Sequence, residues 1–157
     1  MSKLPIKLIG FSKGVVVLNQ LLFDWHALNV SLKEDKDSTC PYEKITLKEW
    51  FSQIETICWL DGGHNGSSNT WISEADILRS LIHKSNVKAD VRVTPYQIKD
   101  LGRPWIREEE ARFSTILKTF CQSDTSRFRR NVYFENEKGS LANHFRIVDT
   151  ICDVQLL

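Results

Sequence analysis

Gly10-Phe11-Ser12-Lys13-Gly14 is a G-x-S-x-G run set between two apolar segments, Leu4 to Ile9 and Val15 to Phe23. A strand, a tight turn and a buried helix, in that order, is the setting in which a serine is held out of the backbone as a nucleophile. Glycine at 10 and 14 lets strand and helix reverse direction closely and leaves Ser12 strained, with its hydroxyl projecting. The helix beginning beyond Ser12 turns free N–H groups and a positive dipole end toward the same place. The Lys13 N–H is therefore the candidate donor to a developing oxyanion. The chemistry such a group performs is acyl transfer. The plainer alternative is a glycine-flanked turn whose serine caps the helix after it.

A serine hydroxyl is a weak nucleophile near neutral pH and needs a base, itself oriented by an acid. Of the 4 histidines, His144 lies after the last strand pattern and before the last helix, in Ala142-Asn143-His144-Phe145, and is the candidate base. His26 and His83 fall late on helical patterns and read as surface or capping residues. His64, in a glycine-rich loop, reads with Gly10 and Gly14 as a residue of the pocket wall. For the acid, Asp100 follows a strand pattern by the short loop Gln97-Ile98-Lys99 and is taken first; Asp61, directly after Trp59-Leu60, is the alternative. Both aspartates also have an ordinary reading as turn residues, beside Gly62 and ahead of Gly102 and Pro104. The chain order of serine, acid and histidine is that of the α/β hydrolases. Asp61, Asn65, Gly66 and Asn69 match positions 1, 5, 6 and 9 of a calcium-binding loop, but Gly63 and Ile72 stand where further ligands are needed. Neither a metal nor a cofactor is expected.

The elements that must position these residues follow from apolar periodicity and turn chemistry. Leu4 to Ile9 reads as a strand and Val15 to Phe23, extended by Trp25, as a helix apolar nearly all round. Ser31 to Ile45 is polar and reads as a surface connection. Thr46-Leu47-Lys48-Glu49 has the form of a capping box and predicts a short helix through about Ile54. Ile57 to Leu60 predicts a strand, and Ser73-Glu74 a helix whose Ile77, Leu78, Leu81 and Ile82 share a face. Val87 to Tyr96 predicts a strand ended by Pro95. A helix carrying Ile106, Phe113, Ile116, Leu117 and Phe120 follows, then a strand over Asn131 to Phe134 and a closing helix from Phe145. Strands alternating with helices predict a parallel sheet covered by helices on both faces. Chemistry in such sheets gathers at the carboxyl ends of the strands, where Ser12, Asp61, Asp100 and His144 all fall.

With 157 residues, 41% of them hydrophobic, the chain suits one globular domain with a core of its own. A net charge of +1 argues against nucleic acid or anionic lipid as the main partner. Arg127, Arg129 and Arg130 are the exception to an interspersed pattern and read as a solvated approach to a strand. Cys40, Cys58, Cys121 and Cys152 show neither C-x-x-C pairing nor zinc-ligand spacing; Cys58 and Cys152 sit in apolar runs and read as buried small hydrophobes. Reduced thiols and an intracellular setting are the default, and no apolar run reaches the length of a membrane span.

Several of these motifs occur together: Gly-Phe-Ser-Lys-Gly with Val-Leu-Asn-Gln-Leu-Leu (17 to 22), Trp-Leu-Asp-Gly-Gly-His (59 to 64), Ser-Asn-Thr-Trp (68 to 71), Val-Thr-Pro-Tyr-Gln (93 to 97) and Asn-His-Phe-Arg (143 to 146). In this order, from Ile9 to about Ile147, the chain resembles the uncharacterised family of chromosome two open reading frame sixty-nine, mitochondrial proteins with an α/β-hydrolase-like carboxyl half. The resemblance implies a mitochondrial, serine-hydrolase-like protein acting on a small acyl-bearing substrate that is not established. Cytoplasm is the fallback location, because this chain shows no targeting segment. Ser12 and His144 carry over at matching positions, and Asp61 and Asp100 both do. The rival expectation is a non-catalytic interaction or regulatory protein on the same fold. Family members are longer, so residues 1–157 are expected to form the carboxyl-terminal part of the domain, a partial α/β-hydrolase-like sheet without its first strands. Weak or absent activity, marginal stability and self-association through the exposed Leu4 to Ile9 edge are then expected.

Overall fold

The computed structural model describes residues 4–34, 41–63 and 68–156. Its core is a sheet of four parallel strands in the order β1-β2-β3-β4: β1 Ile6–Phe11, β2 Ile54–Leu60, β3 Lys88–Val93 and β4 Phe128–Val132. Parallel strands need crossovers, and the helices supply them. Between β1 and β2 lie α1 (Gly14–Glu34) and α2 (Pro41–Phe51); between β2 and β3, α3 (Ala75–Lys84). The short α4 (Pro95–Ile98) and the long α5 (Pro104–Phe120) join β3 to β4, and α6 (Leu141–Arg146) leads into a closing 3-10 segment, Ile147–Leu156.

The two faces of the sheet differ. Ile57 and Trp59 of β2 and Ala89, Val91 and Val93 of β3 point to one face and pack on α1, α3 and α5 through Leu22, Leu78, Leu81, Phe113 and Leu117. Leu22 and Trp59 are fully buried; removing a large core side chain of this kind costs about 3–5 kcal/mol. The other face carries Thr56, Cys58, Leu60, Asp90 and Arg92 beneath Ile147 and Ile151 of the closing segment. Parallel sheets are buried on both sides, which is why β2 reads as a near-continuous apolar run rather than an alternating one. Burial pushes the Cys58 thiol up to about 12, reinforced by the neighbouring Asp90 charge.

Boundaries moved where one signal overrode another. The apolar helix after Ser12 runs to Glu34, and the next helix starts at Pro41, so most of the expected 31–45 connection is helical and only 35–40 lies outside the described residues. Thr46 stands inside α2 instead of capping it, because Pro41 at the first helical position sets the start. Ile54 opens β2, its side chain buried in the core rather than ending a helix. Pro95 ends β3 by opening α4, with Thr94 as its cap (Tyr96 N–H to Thr94 Oγ1, 3.3 Å). The last strand begins at Phe128, three residues ahead of the apolar cue at Asn131, because its arginines have work inside the fold. Arg127 donates to the carbonyl of Ile82 in the last turn of α3 and to those of Ser85 and Val87 just beyond it; Arg129 pairs with Asp90, and Arg130 with Glu110. They are structural ligands, not a solvated approach. Cys152 is exposed, against the expectation of burial, whereas Cys58 and Cys121 are buried.

Candidate functional site

The turn after β1 is built as its residues demand. Ser12 has φ of 55°, in the left-handed region a non-glycine residue enters only when its surroundings compel it. The compulsion comes from both sides: the Ser12 N–H still bonds to the Leu60 carbonyl at the end of β2 (2.9 Å), while its own carbonyl accepts from Val15 N–H (3.2 Å) as α1 begins. A Cβ at Gly10 would lie 2.6 Å from Leu18 Cδ1 and 2.8 Å from the Gly14 carbonyl oxygen, so that position must be glycine for α1 to seat on β1. Gly14 is different. A Cβ there meets nothing within 4 Å, and its φ is not positive, so no steric need for glycine exists. Gly10→Ala is accordingly expected to cost about 1–3 kcal/mol as an overpacking change. Gly14→Ala should instead be neutral or stabilising by up to about 1 kcal/mol, because alanine is the better helix former. Urea unfolding of both variants checks the contrast. Among the described residues none accepts from the Lys13 N–H, which leaves that donor free at the head of α1.

His144 is delivered by α6, which Ser140 caps through its hydroxyl (Asn143 N–H to Oγ, 3.2 Å). The imidazole is buried and set among rings: Phe11 at 4.6 Å between centroids, Tyr96 at 4.9 Å and Phe145 at 5.6 Å. Phe11 immediately precedes Ser12, so the base candidate sits beside the serine turn. On its other side, His144 Nδ1 lies 2.7 Å from Asp61 Oδ2. Asp61 is fully buried, with φ of 45° at the end of β2. Its carboxylate also accepts from the Thr94 N–H (2.6 Å, Oδ1) and the Thr94 hydroxyl (2.7 Å, Oδ2). An ionised carboxylate only accepts hydrogen bonds, so the proton between it and the imidazole belongs to Nδ1. In the neutral ring Nε2 then carries the lone pair a base needs. No hydrogen bond joins Ser12 to His144 in this structure.

Asp100 is not brought to His144. Its carboxylate is held by Arg103 Nε (2.7 Å) and the Gly102 N–H (2.8 Å), a turn clasp ahead of α5. Those two bonds, the Arg103 one foremost, hold its pKa below the usual carboxylate range. Of the two candidate acids, then, geometry pairs Asp61 with His144, and a charged neighbour already occupies the one taken first. His64, Asn65 and Gly66 lie outside the described residues. His26 bonds to Ser80 (Nδ1 to Oγ, 2.7 Å), and His83 is exposed against Phe120.

Three parts of the site went unread in the sequence. Thr94, which holds both carboxylate oxygens of Asp61, had a legible signal, threonine directly before a proline that opens a helix. The ring box of Phe11 and Tyr96 around His144 had none, since the three meet only through the sheet. Nor had Glu109, whose carboxylate accepts from the N–H groups of Asn69, Thr70 and Trp71 (2.8, 2.7 and 3.1 Å) and fixes the segment after β2 against α5. Nothing in Glu108-Glu109-Glu110 distinguishes the middle carboxylate.

Fold and site place the chain among α/β proteins with a wholly parallel sheet, a strained serine at the carboxyl end of the first strand and a buried histidine–aspartate pair next to it. The chain belongs to the C2orf69 family, whose sequence profile matches residues 1–122. That match includes Ser12 and Asp61 and ends before His144. The mouse "Mitochondrial protein C2orf69 homolog" is 39% identical over 140 residues, covering 89% of this chain and 33% of that protein. The human "Mitochondrial protein C2orf69" is also 39% identical over 140 residues, 89% of this chain and 32% of its own length. The zebrafish (Danio rerio) homolog is 32% identical over 143 residues, 91% and 37% respectively. The chain thus spans about a third of the length of these curated relatives. No solved structure matches it.

Proposed function

We propose that this chain carries the catalytic residues of an α/β-hydrolase-like serine hydrolase acting on small carboxylic esters or thioesters, and that, like the relatives named mitochondrial, it works in mitochondria. The observation that carries the reading is the buried His144–Asp61 contact of 2.7 Å beside the positive-φ turn at Ser12. In this reading Ser12 Oγ attacks the acyl carbonyl while His144 Nε2 takes its proton and returns it to the departing alcohol or thiol. Water, deprotonated by the same nitrogen, then releases the acid from Ser12. Asp61, steadied by Thr94, holds the imidazole in the tautomer that leaves Nε2 free and stabilises the imidazolium that forms. The Lys13 N–H faces the oxyanion; one such donor is worth about 2.7–4 kcal/mol of transition-state stabilisation.

A second reading has its own support: with no Ser12–His144 hydrogen bond, the His144–Asp61 pair is a strut that fastens α6 to the sheet, and the fold serves as an interaction module. In that case β1, an outer strand of the four-stranded sheet with Ile9 38% exposed, offers a surface for self-association. Turnover of p-nitrophenyl butyrate and of a butyryl thioester separates the two. The hydrolase reading requires turnover that both Ser12→Ala and His144→Ala abolish in folded protein. Turnover that is absent, or indifferent to these changes, supports the strut.

A further inference from the structure

β4 ends the sheet opposite β1, and its backbone parity is fixed by one bond, Tyr133 N–H to the Val93 carbonyl at 2.8 Å. In a parallel strand both polar groups of a residue turn to the same side and alternate along the chain. Arg129, Asn131 and Tyr133 therefore face β3, and Phe128, Arg130 and Val132 turn their N–H and C=O groups outward. Among the described residues none pairs with those outward groups.

Alongside this edge runs a cavity of about 540 Å³. Ala111, Ser114, Thr115 and Lys118 of α5 form one wall, and Phe128 and Arg130 of β4 the other. Its charge is one-sided. Arg130 is matched by the buried Glu110 through two bonds of 2.8 and 2.7 Å, and Ser114 donates to the same carboxylate. Lys118 has no ionic partner among the described residues, so the wall keeps one uncompensated cation over an apolar and hydroxyl-lined floor.

We propose that the groove between β4 and α5 binds an extended acidic peptide, which adds to the sheet beyond β4 and sets a carboxylate on Lys118. An open strand edge beside a helix-walled groove is the geometry of strand addition: main-chain bonds supply affinity, and alternate side chains enter the groove and supply selectivity. The side chains of Phe128, Arg130 and Val132 lie on the α5 side, and every second side chain of an added strand falls on that same side. A carboxylate on one of these meets Lys118, the groove cation with no ionic partner among the described residues. This surface lies across the sheet from Ser12 and does not depend on the hydrolase reading.

The test is a titration of the isotope-labelled chain with acetyl-Val-Glu-Val-Asp-Val-amide, followed by amide hydrogen exchange at single residues. Exchange at Phe128, Arg130 and Val132 is expected to slow on binding, while Arg129 and Asn131, already bonded to β3, stay unchanged. Lys118→Glu should weaken binding about tenfold, as loss of a charge contact replaced by repulsion does. Thr115→Trp, which fills the groove from an exposed helix position, should abolish it, and the peptide with lysine at both acidic positions should not bind. Unaltered exchange at the three outward amides overturns the proposal, as does binding indifferent to Thr115→Trp. So does slowing that tracks protein concentration without peptide, which would make the occupant a second copy of this chain.

Discussion

Asp61→Asn is expected to lower ester turnover by about 10⁴ while the protein stays folded, as loss of the orienting acid does in serine proteases. An amide at this place still accepts from Thr94 but can present its NH₂ to His144 Nδ1. The imidazole then keeps its proton on Nε2, the nitrogen that must receive the one from Ser12. Asp100→Asn should change turnover less than about twofold, because its partners are Arg103 and the Gly102 N–H, away from the imidazole. Steady-state rates on p-nitrophenyl butyrate, with circular dichroism to confirm folding, measure the pair. Equal small losses in both variants would remove Asp61 from the catalytic role.

The second large effect lies under the closing 3-10 segment. Asp90 and Arg92 are both fully buried, and Asp90 Oδ2 receives Arg92 Nε at 2.9 Å and an Arg92 terminal nitrogen at 2.8 Å. Arg129 adds a second guanidinium at 2.9 Å, and Arg92 reaches on to the Thr150 carbonyl and lies 5.7 Å from the centre of the Tyr133 ring. Asp90→Ala leaves one guanidinium wholly buried and unpaired, a change expected to cost about 3–5 kcal/mol. The double variant Asp90→Ala/Arg92→Met should recover part of that loss, since removing the whole pair leaves no stranded charge. Urea unfolding followed by tryptophan fluorescence gives both numbers. A loss under about 1 kcal/mol for the single variant would mean that water reaches Arg92.

What could be read from residues alone divides along physical lines. The serine turn was legible because a G-x-S-x-G run between apolar segments is a local pattern, and the left-handed Ser12 is its local consequence. The apolar face of α3 was legible for the same reason, with Ile77, Leu78, Leu81 and Ile82 all buried. The pairing of His144 with Asp61 was open, because 83 positions separate them and Asp61 and Asp100 both follow strand patterns, one directly and one after a short loop. Only the sheet decides which one the α6 histidine meets. Gly14 misled because the motif suggested a packing need where the space is open. The arginines of β4 misled because charged side chains read as solvated until their buried partners, Asp90 and Glu110, are placed. Helix limits around Pro41 and Thr46 turned on which of two start signals wins, a contest that packing of Phe51 on Trp25 (3.9 Å between ring centroids) helps to settle.

In the proposed hydrolase mechanism Ser12 is a nucleophile activated by His144. The measurement that meets it most directly is mass mapping of the chain after treatment with a fluorophosphonate, which phosphonylates a serine only where a base and an oxyanion donor act on it. One adduct is expected, on the peptide containing Ser12, lost in His144→Ala and much slowed in Asp61→Asn. Folded protein that stays unmodified, or an adduct that forms equally well without His144, would contradict it.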